Sequence, residues 1–313
     1  MERFGFVVGR LLLMIPVVIG VTIITFFILR LIPGDPVVVM LGIHSTPAAA
    51  AALRASLGLN KPLWEQYALF MNNLAHINLG ESLYYRMPVA TLIGQRLPAT
   101  LWLVAYSAVL ALVISVPLAT ISAARKDGIV DQLVRGIFLL TFAMPGFWVG
   151  LIFILVFSLR LHIFPVSGYG DGFGGHLWTL FLPSLTIALG FAAILIRTLR
   201  SSILAVLRAD YVDTARAKGL GRGRILWRHV LRNALLSTLT VFGVNLAYLI
   251  GGTVIIENVF AVPGLGQLLT SSIFTRDLSV VQGITLIFAL FVVCISLLTD
   301  VAYAALDPRV AYD

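Results

Sequence analysis

Charged residues are so unevenly spaced along this 313-residue chain that they leave long apolar windows between them. Six windows hold roughly 20 or more residues without Asp, Glu, Lys or Arg, the length at which an α-helix crosses about 30 Å of hydrocarbon. A charge at mid-bilayer costs about 2.5–3.5 kcal/mol on insertion scales, so the windows predict an all-α integral membrane protein with six transmembrane helices. These windows lie between Arg10 and Arg30, Arg96 and Arg125, Arg135 and Arg160, Asp171 and Arg197, Arg232 and Glu257, and Asp277 and Asp300.

The windows also set the organisation of the chain. The predicted helices run over about 9–31, 98–123, 136–159, 178–196, 234–256 and 280–303. The corresponding divisions are 1–31 with helix one, 32–96 as an extracytoplasmic segment with short helices, and 97–313 as the core domain. Helix three contains Pro145 and Gly146, which predict a kink, since proline frees a backbone carbonyl. The kink serves either helix packing or the shape of a pathway.

The segment 32–96 carries its own helix signals. Thr46 followed by Pro47 is typical of a helix start, and Gly58 is a natural stop. A second short helix is predicted from about Pro62, with an apolar stripe that has two interpretations. The stripe either packs on the membrane or on the protein itself, or it docks an external partner. Its residues are Leu63, Tyr67, Phe70 and Leu74.

Composition supports the membrane assignment and orients the chain. Hydrophobic residues make up 59% and charged residues 12%, with a mean hydropathy of +1.00, which leaves too little charge for a soluble surface. With both termini cytoplasmic, 15 Lys and Arg fall inside and 7 outside, in agreement with the positive-inside rule. We therefore predict cytoplasmic termini. The net charge of +8 follows from this asymmetry, and we predict no nucleic-acid partner.

The sequence lacks the residues that several classes of function require. The sequence has no P-loop, no H-E-x-x-H pair and no G-x-S-x-G elbow, and its only cysteine is Cys294. We therefore predict no enzyme and no metal site. A stand-alone channel or ion-coupled carrier would place ionisable residues at mid-membrane, and the windows contain none. A further alternative is a membrane scaffold that only binds partner proteins. Unlike a transporter, a scaffold would carry no substrate across the membrane.

The loop 197–232 is the most structured polar part of the chain. It is longer than a simple connection and carries nine Lys and Arg residues. Residues 201–218 lack Pro and Gly, which predicts a helix. Gly219 and Gly221 predict a sharp turn after it, and residues 224–232 predict a second helix. Such a loop presents a rigid surface to a cytoplasmic partner, where Ala215 and Ala217 let another backbone approach.

This loop resembles the EAA coupling motif of ABC-importer permeases. Asp213-Thr214-Ala215 stands where that motif has Glu-Ala-Ala, and Gly219 matches its glycine. The segment Tyr211–Gly219, followed by His229-Val-Leu-Arg-Asn233, is similar to the version in dipeptide and oligopeptide permeases. Other segments agree in order, namely Leu31-Ile-Pro-Gly-Asp-Pro36, Leu57-Gly-Leu-Asn-Lys-Pro-Leu63, Arg96-Leu-Pro-Ala-Thr100, Pro145-x-Phe-Trp-x-Gly150 and Glu257-Asn-Val-Phe-x-x-Pro-Gly-Leu-Gly266.

The resemblance implies a type I ABC importer permease fold in a prokaryotic plasma membrane. It further implies a homologous second permease, two ATPase subunits that hold ATP and Mg²⁺, and an extracytoplasmic binding protein. This chain itself would bind no cofactor. Its substrates would be dipeptides or oligopeptides, with glutathione or a nickel chelate as alternatives.

The resemblance also assigns roles to residues. ATPase coupling is expected of Asp210, Tyr211, Asp213, Thr214, Ala215, Arg216, Ala217, Lys218, Gly219, His229 and Asn233. Candidates for the translocation path are Met144, Pro145, Asn245, Tyr248 and Asn258, although such polar groups also bridge helices by hydrogen bonds. Candidates for contact with the binding protein are Asp35, Trp64, Tyr67, Pro263 and Gly264.

Overall fold

A computed structural model describes residues 15–27, 37, 41, 46–56, 58–82 and 84–306. Helices dominate these ranges, and a two-stranded antiparallel hairpin, β1 Glu81–Ser82 and β2 Met87–Pro88, pairs Ser82 with Met87. In chain order the helices are α1 Ile15–Phe27, α2 Pro47–Ser56, α3 Leu63–Ala75, α4 Val89–Ala124, α5 Ile129–Ala143, α6 Gly146–Arg160, α7 Gly172–Thr179, α8 Phe181–Val206, α9 Asp210–Ala217, α10 Arg222–Val259, α11 Leu265–Phe274 and α12 Leu278–Leu306.

Within the described ranges, four helices are long and apolar enough to cross a membrane: α4, α8, α10 and α12. A fifth span results if α5 and α6 are taken together. The predicted first helix, 9–31, is described only as α1, and the rest of it lies outside the described residues. Four to five of the six predicted spans are therefore present in the described part of the chain.

The predicted third helix, 136–159, is wrong as a single element. The chain is helical from Ile129, breaks at Met144 and continues from Gly146 at 103° to α5. Met144 adopts φ −87° and ψ 136°, because the ring of the following Pro145 disfavours the helical conformation before it. The predicted kink is present, and it is a break rather than a gentle bend.

Helix α8 lies at the centre of the bundle and packs on α4, α5, α6 and α10. Leu195, Leu199 and Ile203 are fully buried on it. Small residues on the facing side of α4, Ala111 and Ala119, are also fully buried and permit the two backbones to approach closely. A bundle of long helices around one buried helix results.

The short helices of 46–75 follow the predicted signals. Helix α2 begins at Pro47, and the Thr46 hydroxyl accepts a hydrogen bond from the Ala49 N–H at 3.2 Å. The α3 stripe packs on α1: the Phe26 ring centroid lies 5.2 Å from that of Tyr67 and 5.9 Å from that of Phe70. The stripe therefore contacts the protein itself.

Helix α10 runs without interruption for 38 residues, and it includes a π-helical stretch at Ile225–Leu231. Its C-terminal end lies beside α11, and residues of the β1–β2 hairpin and of α10 line one cleft. We call this end of the bundle the hairpin end. The opposite end, where α10 begins, carries α9.

Candidate coupling surface and transport pathway

Helix α9 is a separate short helix, not part of a continuous helix over 201–218 as predicted. Helix α8 ends at Val206, and a turn in which the Ala209 N–H donates to the Val206 carbonyl at 3.1 Å separates it from α9. Among the residues that the structure describes, no side chain caps the first turn of α9, but Asp210 and Asp213 lie in it. Their charges favour the positive end of the helix dipole.

Gly219 ends α9 in a left-handed conformation with φ +77°. The Gly219 N–H donates to the Arg216 carbonyl at 2.9 Å, and the Leu220 N–H donates to the Ala215 carbonyl at 3.2 Å. This pair of bonds is a Schellman motif, which glycine adopts without the steric cost of a β-carbon. The predicted sharp turn at Gly219 is confirmed.

The two faces of α9 differ. Val212 and Ala215 are buried in the hydrophobic cluster formed with α8, α10 and α4. Ala215 therefore faces its own chain, and the prediction that it lets another backbone approach is wrong. The opposite face is exposed and carries Asp210, Tyr211, Asp213, Thr214, Arg216, Ala217 and Lys218.

The exposed face is held together by local polar contacts. Arg216 donates to the Asp213 carboxylate at 2.8 Å, and the Thr214 hydroxyl donates to the Asp210 carbonyl at 3.1 Å. Because both partners of the ion pair are more than half exposed, it contributes little to stability, at most about 1 kcal/mol. Lys218 is exposed and forms no ion pair within the described residues. The surface thus offers separate positive and negative groups to a partner.

A second segment joins this surface. Asn233 of α10 donates its amide to the Tyr211 hydroxyl at 2.8 Å and to the His229 carbonyl at 3.0 Å. Tyr211, His229 and Asn233 line one cleft of about 810 Å³ together with Arg228 and Arg232. The structure therefore brings the two predicted coupling segments together, and the bond at Asn233 connects α9 to the long helix α10.

A buried ion pair between α5 and α8 was not predicted from the sequence. Arg200 of α8 donates two hydrogen bonds to Asp131 of α5, both at 2.7 Å. The Ser122 hydroxyl of α4 and the Asp127 N–H donate to the same carboxylate, at 2.5 and 2.9 Å. Asp131 is completely buried, and Arg135 lies 3.5 Å away at the surface. Three helices are thus joined near the seat of α9.

Four of the five path candidates share a cleft at the break between α5 and α6. Met144 and Pro145 line it from one side, and Asn245 and Tyr248 of α10 from the other, around about 560 Å³. The walls are mostly apolar, including Phe191 of α8. The Asn245 amide donates to the Val241 carbonyl of its own helix at 2.8 Å, so it does not bridge two helices.

Asn258, the fifth path candidate, lies in a different cleft. Its amide donates to the Val254 carbonyl at 2.7 Å and to the Thr270 hydroxyl of α11 at 2.9 Å, which bridges two helices. This second cleft, at the hairpin end, measures about 430 Å³. Its polar lining residues are Tyr85, Arg96, Asn258, Gln267, Thr270 and Ser271.

The candidates for contact with a binding protein do not form one surface in the described residues. Trp64 is 70% exposed, whereas Tyr67 packs on α1 and shares a hydrogen bond of 3.0 Å with the Thr22 hydroxyl. Gly264 is buried, and a side chain there would overlap the Glu257 carboxylate. Pro263 is half-buried, and Asp35 lies outside the described residues.

Glu257 follows the predicted helix 234–256, but the structure places it inside α10. It lies in the last turns of α10, completely buried, where its carboxylate accepts from the Thr100 hydroxyl at 2.7 Å. It also accepts from the N–H groups of Gly266 and Gln267, at 2.6 and 3.0 Å. A carboxylate at this helix N-terminus satisfies donors that have no partner within α11. Glu257 thereby joins α10, α4 and α11.

No group of three or more His, Cys, Asp or Glu side chains comes together in the described ranges. The clefts that hold the candidate residues are lined by apolar, amide, hydroxyl and basic groups. Their chemistry suits the passage of a solute and the binding of partner proteins, rather than bond cleavage.

The fold is that of ABC transporter permeases. A chain of the MetNI methionine ABC transporter, solved in inward-facing conformations, superposes with a TM-score of 0.60, covering 70% of this chain and 97% of that one at 17% identity. An amino acid ABC transporter crystallised with histidines gives a TM-score of 0.55 over 69% of this chain and 94% of that one, at 14% identity.

The chain belongs to the family of binding-protein-dependent transport system inner membrane components, which it matches over residues 115–312, with the N-terminal part of that family matched over 3–104. The oligopeptide transport system permease AppB of Bacillus subtilis is 38% identical over 98% of this chain and 99% of its own. The dipeptide transport system permease DppB of Escherichia coli K12 is 35% identical over 98% of each chain. The predicted membership of the ABC-importer permeases, as a multi-pass membrane transport subunit rather than an enzyme, is confirmed.

Proposed function

We propose that this chain forms, with a homologous second permease, the membrane pathway of an ATP-driven importer of dipeptides or oligopeptides. An extracytoplasmic binding protein delivers the peptide, and two ATPase subunits hold ATP and Mg²⁺, so this chain binds no cofactor. The chain crosses the plasma membrane six times, with both termini and α9 in the cytoplasm. The likeness to oligopeptide and dipeptide permeases over 98% of the chain supports the substrate class.

The observation that carries the proposal is the construction of α9. One face, with Val212 and Ala215, is fixed in the core, while the opposite face is exposed and charged. A helix held in this way moves with the bundle as a rigid body. When ATP closes the ATPase pair, a partner seated on the exposed face displaces α9, and the Tyr211–Asn233 bond passes the displacement to α10.

We place the pathway at the cleft beside the α5–α6 break, and the lining residues of that cleft support this placement. Tyr248 and Asn245 of α10 face Met144 and Pro145 across it, so a tilt of α10 changes its width. The mostly apolar walls suit side chains of many kinds, which a peptide importer must pass. We assign substrate selection to the binding protein. Glutathione, itself a tripeptide, and a nickel chelate remain the alternative cargoes for the same machinery.

Uptake and partner capture test the proposal. The tagged chain, purified from its native membrane, should bring a second permease and two ATPase subunits, and the reconstituted assembly should accumulate a labelled tripeptide only with ATP and binding protein. Asp213→Lys should keep assembly and ATP hydrolysis but lose most uptake. Asp171→Lys, an exposed site between α6 and α7, is the matched control. Purification as a lone homo-oligomer, or uptake of glutathione or nickel chelate but not of peptide, contradicts the assignment.

Orientation has its own test, because the native Cys294 is replaceable. In a Cys294→Ser background, Lys218→Cys places a single exposed thiol directly after α9, and Trp64→Cys places one on α3. A membrane-impermeant maleimide applied to intact spheroplasts should label position 64 and not position 218. The reverse labelling refutes the cytoplasmic position of α9.

A further inference from the structure

Arg96 is a cation without a counter-ion at the hairpin end of the bundle. It lies in the second turn of α4, half-buried, and lines the 430 Å³ cleft between α4, α10 and α11. Among the residues that the structure describes, it forms no hydrogen bond and no ion pair. An arginine in such a position leaves five N–H donors available.

The same cleft offers a second unused donor group and no acid. The side-chain amide of Gln267 makes no hydrogen bond with a described residue, although its backbone N–H donates to Glu257. Glu257 is not available to Arg96 as a free acid, because its carboxylate already accepts from Thr100, Gly266 and Gln267. No Asp or Glu lines the cleft within the described ranges. Donors without acceptors favour an anionic ligand.

The cleft lies on the same side of α10 as the pathway cleft. Tyr248 and Ile255 line the pathway cleft, and Asn258 lines the cleft of Arg96. The spacing of i, i+7 and i+10 puts these three residues on one side of α10, and Asn258 is only about 4.5 Å further along the helix axis than Ile255. The two clefts therefore lie in succession along one side of α10.

We propose that Arg96 and Gln267 form a carboxylate-binding site at the hairpin end of the pathway, which receives the C-terminal carboxylate of the transported peptide. The proposal rests on the peptide-importer function. The guanidinium fork matches the two oxygens of a carboxylate and holds both by charge-assisted hydrogen bonds, whereas an amide is uncharged and offers only one oxygen. Peptides of any sequence carry this carboxylate, so the site suits a substrate class rather than one side chain.

The test compares two probes in the full reconstituted importer: trialanine and its C-terminal amide, each at saturating concentrations of loaded binding protein. Saturation removes any preference of the binding protein itself. Arg96→Gln should slow trialanine uptake about tenfold, the effect of losing one charged hydrogen-bond partner, and leave uptake of the amide unchanged. Arg96→Lys should retain most of the trialanine rate. Arg86→Gln, an exposed arginine of the hairpin that does not line the cleft, is the control.

The outcomes separate the explanations. If Arg96→Gln slows both probes equally and raises the amount of binding protein needed for half-maximal uptake, the carboxylate belongs to the binding protein, and the peptide site is refuted. If Arg96→Gln reduces uptake of both probes equally and the importer assembles poorly, Arg96 has a structural role, and the peptide site is refuted as well. If the unaltered importer takes up neither probe, the peptide function itself fails; if it takes up both and Arg96→Gln is without effect, only the carboxylate site fails.

Discussion

Replacing Asp131 by Asn tests the buried ion pair beneath α9. The carboxylate accepts four hydrogen bonds, two from Arg200 and one each from Ser122 and the backbone of Asp127. Asparagine keeps the shape of the side chain, but it removes the charge, and its amide nitrogen cannot accept a hydrogen bond. Arg200 then keeps a positive charge inside the bundle with no ion-pair partner among the described residues.

The magnitude follows from burial. Removing one partner of a buried ion pair costs about 3–5 kcal/mol, because the remaining charge stays desolvated. The Arg200 side chain is 16% exposed, so water reaches part of it, and we expect the lower value of about 3 kcal/mol. With an unfolding entropy of about 2.1 cal/mol/K per residue, this corresponds to a fall in Tm of about 5 °C for a chain of this length.

The assay is thermal unfolding of the purified chain in detergent, followed by near-UV circular dichroism. Asp127→Asn is the control, because the Asp127 side chain is 70% exposed and its ion pair with Lys126, at 3.8 Å, lies at the surface. Asp127 has φ +62°, which asparagine also tolerates. The control should stay within about 0.5 kcal/mol of the unaltered chain.

A double variant decides whether the loss comes from the pair. Asp131→Asn with Arg200→Met removes the isolated charge and should recover most of the stability, since apolar replacements of buried pairs are often neutral. Asp131→Asn unfolding at the same temperature as Asp127→Asn refutes the structural role. A double variant that loses the sum of the two single effects refutes the coupling between the two residues.

Three further predictions concern other contacts. Gly219→Val forces a β-branched residue into the left-handed conformation, which costs about 1–2 kcal/mol. It should lower peptide uptake per ATP hydrolysed in the reconstituted importer, and Gly219→Ala should lower it less. Unchanged uptake per ATP in both variants contradicts the role of the turn. Glu257→Ala leaves donors of α11 without an acceptor and should destabilise the chain by about 2 kcal/mol or more in thermal unfolding. Glu257→Gln should be milder because its amide oxygen still accepts a hydrogen bond, and equal effects of the two variants contradict that role of the oxygen. Asn233→Ala removes the hydrogen bond to Tyr211 and should speed hydrogen exchange of the α9 amides about fivefold. Tyr211→Phe should have the same effect. If the α9 amides exchange at the original rate in both variants, this bond does not hold α9.

The spacing of charges was sufficient to locate the long helices, because a bilayer excludes charge from their centres. Helix starts and ends could also be predicted where the backbone conformation favours one residue type. Thr46 and Pro47 start α2, and Gly219 ends α9 at positive φ. The family could be predicted for a further reason: its motifs combine these backbone requirements with the polar residues of the coupling loop.

The buried charges could not be predicted from the spacing of charged residues. Asp131 and Arg200 are 69 positions apart, and each stands near the end of an apolar stretch, where hydropathy does not distinguish a loop charge from a buried pair. For the same reason, the predicted helix 234–256 stopped short of Glu257, which lies within α10. Ala215 is different, since Val212 and Ala215 at i and i+3 form an apolar pair in a polar helix. That spacing indicates an inward face and offered the correct answer.

The uninterrupted length of α10 gives the molecule a lever. Thirty-eight residues at 1.5 Å each make a rod of about 57 Å, longer than the hydrocarbon core is thick. If the rod pivots near its middle, a tilt of about 10° moves each end by about 5 Å in opposite directions. Asn233 lies about 11 Å from the middle of the helix and Asn258 about 26 Å on the other side, so a small displacement at Asn233 is reversed in direction and roughly doubled at the cleft of Arg96.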